Sequence, residues 1–430
     1  MKKILLYIEP HPIRNSFLMF RAALLSYARM FSEENKDCIR VYSSYENLDK
    51  TLEWAQQRHL QPFTICNELE SYFIYPDKED DDFFVAQLQD WDNGGIAVWR
   101  ELMTGRGISE RYEDIICRVH EKYDFDYIVY WGTNAAVRKA AARLGVGCVD
   151  MELGCSRRPY MDTVVMDPWG VNGSSSISQA RIEDFDCVPP SDAYADLLLN
   201  SYRHSSSGYE SDFAPPNCHE LLRLMGQEKI AFIPLQLYDD ANLLEYAPFE
   251  EVIEVLQSVL PRLKEAGYYC IIKEHPLSAR RFGSEAANAK AYEYAKQFDN
   301  IFWMGPEYKD IPNAFLYRLA ELIVTVNSAT GFEALYYNKP VVVLGEAVYK
   351  VAGAFPTLDE YLSKQFNAAE YVEKTSRIRN FFLNYYLIPS EIFENWPEFY
   401  ARVCFVGELS KQKLTTGEIV AQFVKKPWLT

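Results

Sequence analysis

No stretch of this 430-residue chain approaches the ~20 consecutive apolar residues of a membrane span. The N-terminus comes nearest, but its apolar run stops at Glu9, too short for the core of a secretory signal. It reads as a first buried strand. Cysteine chemistry is thin as well. The nine Cys are scattered without a CxxC, and Cys218-His219 is the one Cys/His neighbour pair. No second pair stands at zinc spacing, so neither a disulfide framework nor a zinc module is expected. The unpatterned thiols point to a reducing cytoplasm. Basic charge is short: 44 Lys and Arg face 61 Asp and Glu, for a net charge of −17. That excludes nucleic acid held by a general positive field. Any anionic ligand must be held by a local site. No internal repeat is visible.

Apolar residues at 48 % and charged ones at 24 % are ordinary for a globular chain and exclude disorder, collagen and coiled coil. The length suggests two or three domains. Aromatics reach 15 %, with 30 Tyr. A large, well-filled core explains them more simply than a sugar-stacking surface.

Strand and helix patterns alternate, which argues for α/β layers and parallel sheets. In the first half the spacing predicts strands over 3–9, 38–44, 123–131 and 146–153, with helices over 15–31 and 134–144. An acidic, aromatic stretch around Asp77 to Asp82 reads as a surface insertion. Gly, Ser and Pro then thicken, and the composition places an interdomain linker within 188–227. The second half predicts strands at 230–235, 268–273, 300–304, 322–326 and 341–344. Helices are predicted over 249–266, 285–298, 312–320 and 330–337. The expected domains are 1–200, 228–385 and a set of aromatic C-terminal helices, 386–430, that return to the first domain.

Ligands of open α/β sheets bind beyond the carboxyl ends of the strands. Polar residues of the second half collect there: Gln236 to Asp240, Lys273 to Pro276, Gly305-Pro306, Asn327 to Gly331, and Gly345-Glu346. The turn at Ser328, Thr330 and Gly331 opens a helix, which suits a phosphate, although plain N-capping explains Ser and Thr equally well. Lys273 and His275 would add positive charge. Glu333 reads either as a carboxylate gripping a ribose diol or as a first-turn residue answering the helix dipole. Asp239 and Asp240 read either as a nucleophile toward a sugar carbon or as a turn and cap. In the first half, Glu152 is a candidate base or hydroxyl contact, and Arg157 a two-pronged carboxylate holder. Asp124-Phe125-Asp126 and Asp184-Phe185-Asp186 match a DxD pattern but read as surface turns, so no metal is expected.

Together these pieces resemble the bacterial capsule polysaccharide biosynthesis family of GT-B glycosyltransferases, and within it the retaining β-Kdo transferases. Gln236 to Asp240 matches QxxxD, and Lys273, His275 and Pro276 match KxHP. Ser328 with Gly331-Phe332-Glu333-Ala334-Leu335 and the segment from Lys339 to Gly345 match the motifs that follow. Glu152-x-Gly154-x-x-Arg157 and Asp167-x-x-Gly170 resemble a first-domain motif more weakly.

The resemblance implies two Rossmann-type domains facing across a cleft. It also implies transfer of Kdo from CMP-β-Kdo to a glycan acceptor with retention. Asp240 would be the nucleophile, since QxxxD spacing selects it over Asp239. Cytidine would lie over Gly305-Pro306 and the ribose on Glu333. The phosphate would rest on Ser328, Thr330, Lys273 and His275. No cofactor and no metal are implied. The expected partners are the CMP-sugar and a glycan or lipid-linked acceptor, in the cytoplasm. Peripheral contact with the inner membrane, and membership of a larger polysaccharide synthase, belong to the same expectation. Lys411, Lys413, Lys425 and Lys426 could touch such a membrane, though they read first as a solvated tail. The rivals are an inverting CMP-sugar transferase with Glu152 as base, a GT-B sugar epimerase, and a non-catalytic glycan-binding assembly subunit.

Overall fold

The computed structural model describes residues 1–58, 69–205, 229–281, 283–363 and 365–427. Two compact units emerge, each around its own sheet. The first comprises 1–153, 164–171 and 388–414, and the second 154–163, 172–387 and 415–430.

The first unit has seven strands: β1 (Ile4–Tyr7), β2 (Ile39–Tyr42), β3 (Phe73–Ile74), β4 (Tyr127–Trp131), β5 (Gly147–Leu153), β6 (Thr163–Asp167) and β12 (Ile388–Pro389). Their order is β12-β6-β5-β4-β1-β2-β3. Strands β1 to β5 run parallel, with Ile4 opposite both Ile39 and Tyr127, and β6 returns antiparallel to β5. Helices cover both faces, so β1 is apolar and buried throughout. Alternate residues choose the layer: Leu5, Tyr7, Ile128 and Tyr130 join one apolar cluster with Tyr112, Ile115 and Val137 of two helices. The helix Trp396–Ser410 lies against β5 and β4. Gly147 and Gly407 permit it, because a Cβ on Gly147 would stand 2.6 Å from the Gly407 carbonyl oxygen.

The second unit holds β7 (Ile230–Pro234), β8 (Tyr269–Lys273), β9 (Ile301–Met304), β10 (Leu322–Thr325) and β11 (Val341–Val343), all parallel, in the order β11-β10-β7-β8-β9. Ala231, Ile233, Cys270, Ile272 and Val324 face Leu256 and Leu260 of the helix Val252–Glu265 in one core. Each unit is therefore a doubly wound α/β layer, the class expected from the alternating patterns.

Several expectations need correction. The chain changes unit at 171/172 and not within 188–227, so the boundary near 200 is displaced. Residues from 172 to 205 side with the second unit because their polar groups meet the helix Ala368–Phe381 there. Asn380 Nδ2 donates to the Pro189 carbonyl at 2.7 Å, and Arg379 pairs with Asp192. The last helix, Thr416–Val424, also belongs to the second unit. Thr416 Oγ1 donates to Asp184 Oδ2 at 2.7 Å, and Phe423 meets Phe381 and Tyr386. Much of the expected linker, with Cys218 and His219, lies outside the described residues. The predicted helix over 15–31 is only Arg21–Ala28, because Arg14 and Asn15 take left-handed backbone (φ 54° and 56°). The acidic stretch at Asp77 to Asp82 is no insertion. It opens the helix Lys78–Ala86, whose Asp80 is buried and receives Arg118 at 2.5 Å and Arg111 at 3.3 Å.

Candidate functional site

In the second unit, β7 leads on one side to β8 and β9, and on the other lie β10 and β11. Winding reverses between β7 and β10, and crevices open at such a reversal beyond the strand ends. The residues leaving β7, β8 and β10 build the site.

Beyond β7, Gln236 is buried and the two aspartates divide their work. Asp239, at 1 % exposure, receives Arg281 Nη1 on Oδ1 at 3.0 Å. Asp240 is half-buried and caps the short helix Ala241–Leu244, its Oδ1 accepting from the Asn242 amide at 2.9 Å. The cap reading of Asp240 holds, and Arg281 pairs with Asp239 instead.

Lys273 ends β8 and is buried. Its Nζ donates to the Ile311 carbonyl at 2.7 Å and to Asn313 Oδ1 at 2.9 Å, and burial pulls it down to about 8. Asn313 Nδ2 then reaches Thr330 Oγ1 at 3.5 Å. The ammonium therefore braces the helix Asn313–Leu319 against the 328–334 turn. His275 Nδ1 accepts from the Leu277 amide at 3.1 Å, which fixes the tautomer and leaves Nε2 as donor. Burial lowers the His275 pKa; nearby Asp240 raises it, and Arg281 and Arg157 lower it further. The histidine is thus held neutral. Burial disfavours the charge expected of His275, while the Lys273 ammonium is engaged by Ile311 and Asn313. The guanidiniums of Arg157 and Arg281 carry the positive charge around His275.

Beyond β10, Ser328 caps the helix Ala329–Ala334. Its Oγ accepts from the Thr330 amide at 3.3 Å and donates to Thr330 Oγ1 at 3.1 Å. Packing alone requires Gly331: an added Cβ would collide with the Tyr349 hydroxyl oxygen. That hydroxyl donates to the Ser328 carbonyl at 2.6 Å and pins the turn. Glu333 is buried. Tyr317 donates to its Oε2 at 2.9 Å and the Arg157 amide also donates, while desolvation lifts the carboxyl to about 7. Arg157 belongs to the second unit and lies within electrostatic reach of both Glu333 and His275.

Past β9, Gly305 and Pro306 border a cavity of about 610 Å3, also lined by Glu274, Arg281, Asn288, Tyr292 and Trp303. Such a volume falls in the roughly 300–1,000 Å3 range of small-ligand sites. Glu274 is fixed there by Trp303 Nε1 at 2.9 Å, Asn288 Nδ2 at 2.6 Å and Ser278 Oγ at 3.2 Å.

Glu152 closes β5 of the first unit. Its Oε1 accepts from Trp131 Nε1 at 3.1 Å and from the Leu153 amide at 2.7 Å. Of the DxD pairs, Asp126 meets Lys2 of the N-terminal segment at 2.6 Å, and Asp184 accepts from the Arg181 amide at 3.0 Å and from Thr416 Oγ1 at 2.7 Å, so both are engaged in structural contacts. Arg281, Asn313 and Tyr317 escaped the sequence reading. Each sits inside a helix or turn that carries no motif of its own, and only the fold brings it to the strand ends.

Residues 177–386 match the model of a family described as capsule polysaccharide biosynthesis protein. The chain is 25 % identical over 283 residues to the capsule polysaccharide export protein KpsS of Escherichia coli, covering 55 % of this chain and 71 % of that protein. It is 30 % identical over 135 residues to the capsule polysaccharide modification protein LipB of Neisseria meningitidis, 29 % of this chain and 30 % of LipB. Among solved structures, a Thermosulfurimonas dismutans KpsC described as a β-Kdo 2,7 transferase aligns with TM-score 0.38 and 17 % identity, over 72 % of this chain and 87 % of that one. The stretch that matches the capsule polysaccharide biosynthesis protein model, 177–386, contains Gln236, Asp240, Lys273, His275, Ser328 and Glu333.

Proposed function

We propose that the chain is a glycosyltransferase of capsule polysaccharide synthesis that moves Kdo from CMP-β-Kdo to a glycan acceptor with retention. The observation that carries this reading is the environment of His275. A neutral imidazole with a free Nε2–H stands among Asp240, Arg281 and Arg157. An acceptor carboxylate beside donors and cations is what a sugar phosphate needs, with one group for the anomeric carbon and the others for the leaving phosphate.

In this reading Asp240 attacks the anomeric carbon and forms a glycosyl ester as the carbon–oxygen bond to CMP breaks. The bonding pair leaves on the phosphate. His275 Nε2–H donates to that phosphate, and Arg157 and Arg281 balance its growing charge. Ser328 and Thr330 supply hydroxyls beside it. An acceptor hydroxyl then displaces Asp240, which leaves as its carboxylate, and the hydroxyl proton passes to solvent. Cytidine lies against Gly305-Pro306, where the 610 Å3 cavity offers room. Glu333 acts here as a positioning residue for Arg157 and for the ribose side of the site. Glu152, in the first unit, is the base of the inverting alternative.

Intact-protein mass spectrometry after mixing with CMP-Kdo, without acceptor, tests this. One added Kdo that maps to Asp240, and is absent in Asp240→Asn, is the expected result. Turnover without an adduct, abolished by Glu152→Gln, would establish the inverting alternative instead.

A further inference from the structure

The first unit's sheet has a switch point of its own. On one side of β1 lie β2 and β3, and on the other β4 and β5. The chain leaves β1 in one direction and β4 in the other, so a crevice opens between their carboxyl ends. Glu9 and His11 follow β1, and Asn134 follows β4. Asn134 Nδ2 donates to Glu9 Oε2 at 2.6 Å and bridges the two strand ends. The His11 amide donates to Glu9 Oε1 at 3.0 Å, and His11 Nδ1 stands 3.0 Å from the Tyr112 hydroxyl oxygen.

Three features set this cluster apart from a structural clasp. Glu9 is at 7 % exposure, yet the groups that bond it are neutral and no cation pairs with it among the described residues. Burial accordingly lifts its carboxyl to about 7 and drops His11 to about 4. The Tyr7 hydroxyl, buried within electrostatic reach of Glu9 and Tyr112, has no hydrogen-bond partner among the described residues. Buried donors are ordinarily satisfied by protein, water or ligand. The carboxyl would repel an anionic ligand. One carboxylate and one imidazole fall short of a cation cage, and no group of three metal-ligating side chains occurs among the described residues. Neutral groups that both donate and accept are the fitting complement, and adjacent sugar hydroxyls are such groups.

We propose that this switch point is a sugar-hydroxyl site, in which Glu9, His11 and Tyr7 take one edge of a pyranose of the glycan acceptor. It rests on the acceptor half of the function proposed above and needs nothing of the donor.

Saturation-transfer NMR on the full chain tests it, using the neutral methyl glycosides of galactose and N-acetylglucosamine at millimolar concentration as probes. At least one should receive saturation from the wild type. In Glu9→Gln that signal should weaken about tenfold, the loss of one charge-assisted bond. Circular dichroism and CMP affinity should stay unchanged. His11→Gln carries the same test should Glu9→Gln fail to fold. A wild type that binds none of the glycosides, or variants that bind as well as wild type, would overturn the site and leave only a bound water. CMP-Kdo turnover, measured separately, reports on the donor reading, so the failure of one is visible apart from the other.

Discussion

At the scale of single residues the two aspartates are the sharpest case. Asp240 has one carboxylate oxygen in a cap and stands near His275, whereas Asp239 is committed to Arg281. Asp240→Asn should abolish transfer and leave CMP binding and stability nearly intact, because the amide oxygen still caps. Asp239→Asn should act through the fold. It leaves Arg281 without its counter-charge and should cost ~2–3 kcal/mol, at the low end for a buried pair because Arg281 keeps some solvent. Urea unfolding of both variants beside their transfer rates separates the roles. His275→Ala should weaken CMP binding by ~1.5–3 kcal/mol and slow turnover at least as much, since charge grows on the phosphate in the transition state. Calorimetry and single-turnover rates check this, and an unchanged rate removes His275 from the phosphate.

At the scale of elements, the turn after β10 is held by a contact from outside its own segment. Ser328 caps the helix through the Thr330 amide, but the Tyr349 hydroxyl both pins the Ser328 carbonyl and fills the space where a Gly331 side chain would be. Gly331→Ala should therefore destabilise by ~1–3 kcal/mol through overpacking. Adding Tyr349→Phe, which removes the clashing oxygen, should recover part of that loss. Thermal unfolding of the single and double variants measures it. A Gly331→Ala protein of wild-type stability would mean that the turn shifts freely. Lys273 works at the same scale: it ties the end of β8 to the start of the Asn313–Leu319 helix with two neutral acceptors.

At the scale of the whole molecule, three buried carboxyls govern the response to pH. Glu9 and Glu333 are lifted to about 7, and Asp150, with desolvation outweighing Arg138, to about 6. An acid whose folded pKa is raised binds its proton more tightly folded than unfolded. Its favourable contribution is complete below the unfolded pKa and fades as pH climbs through the folded one. His11, lowered by burial to about 4, acts in the opposite sense between about 4 and 6.5, and it cancels when wild type is compared with a Glu333 variant. Glu333→Gln keeps the acceptor for Tyr317 and Arg157 and cannot ionise. Its melting temperature should gain on wild type as pH rises from 5 to 8, reaching ~3 kcal/mol of relative stability. Calorimetric scans across that range check the sign, and a parallel pair of curves would show that Glu333 ionises freely in the fold.

The sequence by itself determined the layers. Continuous runs such as Ile4 to Tyr7 and Val341 to Val343 have no polar face to offer water, so they become interior strands of parallel sheets whatever surrounds them. It also placed the strand-end positions of Asp240, His275, Ser328 and Glu333, because a motif at the end of a buried run has only one side to emerge on. The partners of those residues were decided by the tertiary structure. Arg281 on Asp239, Asn313 on Lys273, Tyr317 on Glu333 and Tyr349 over Gly331 come from separate elements. No local period brings them together. The change of unit at 171/172 was decided in the same way, by polar and aromatic contacts with the Ala368–Phe381 and Thr416–Val424 helices. Composition marked a linker by its Pro, Gly and Ser, but packing assigns a segment to the surface that satisfies its hydrogen bonds and buries its rings, and that surface exists only once the chain has folded.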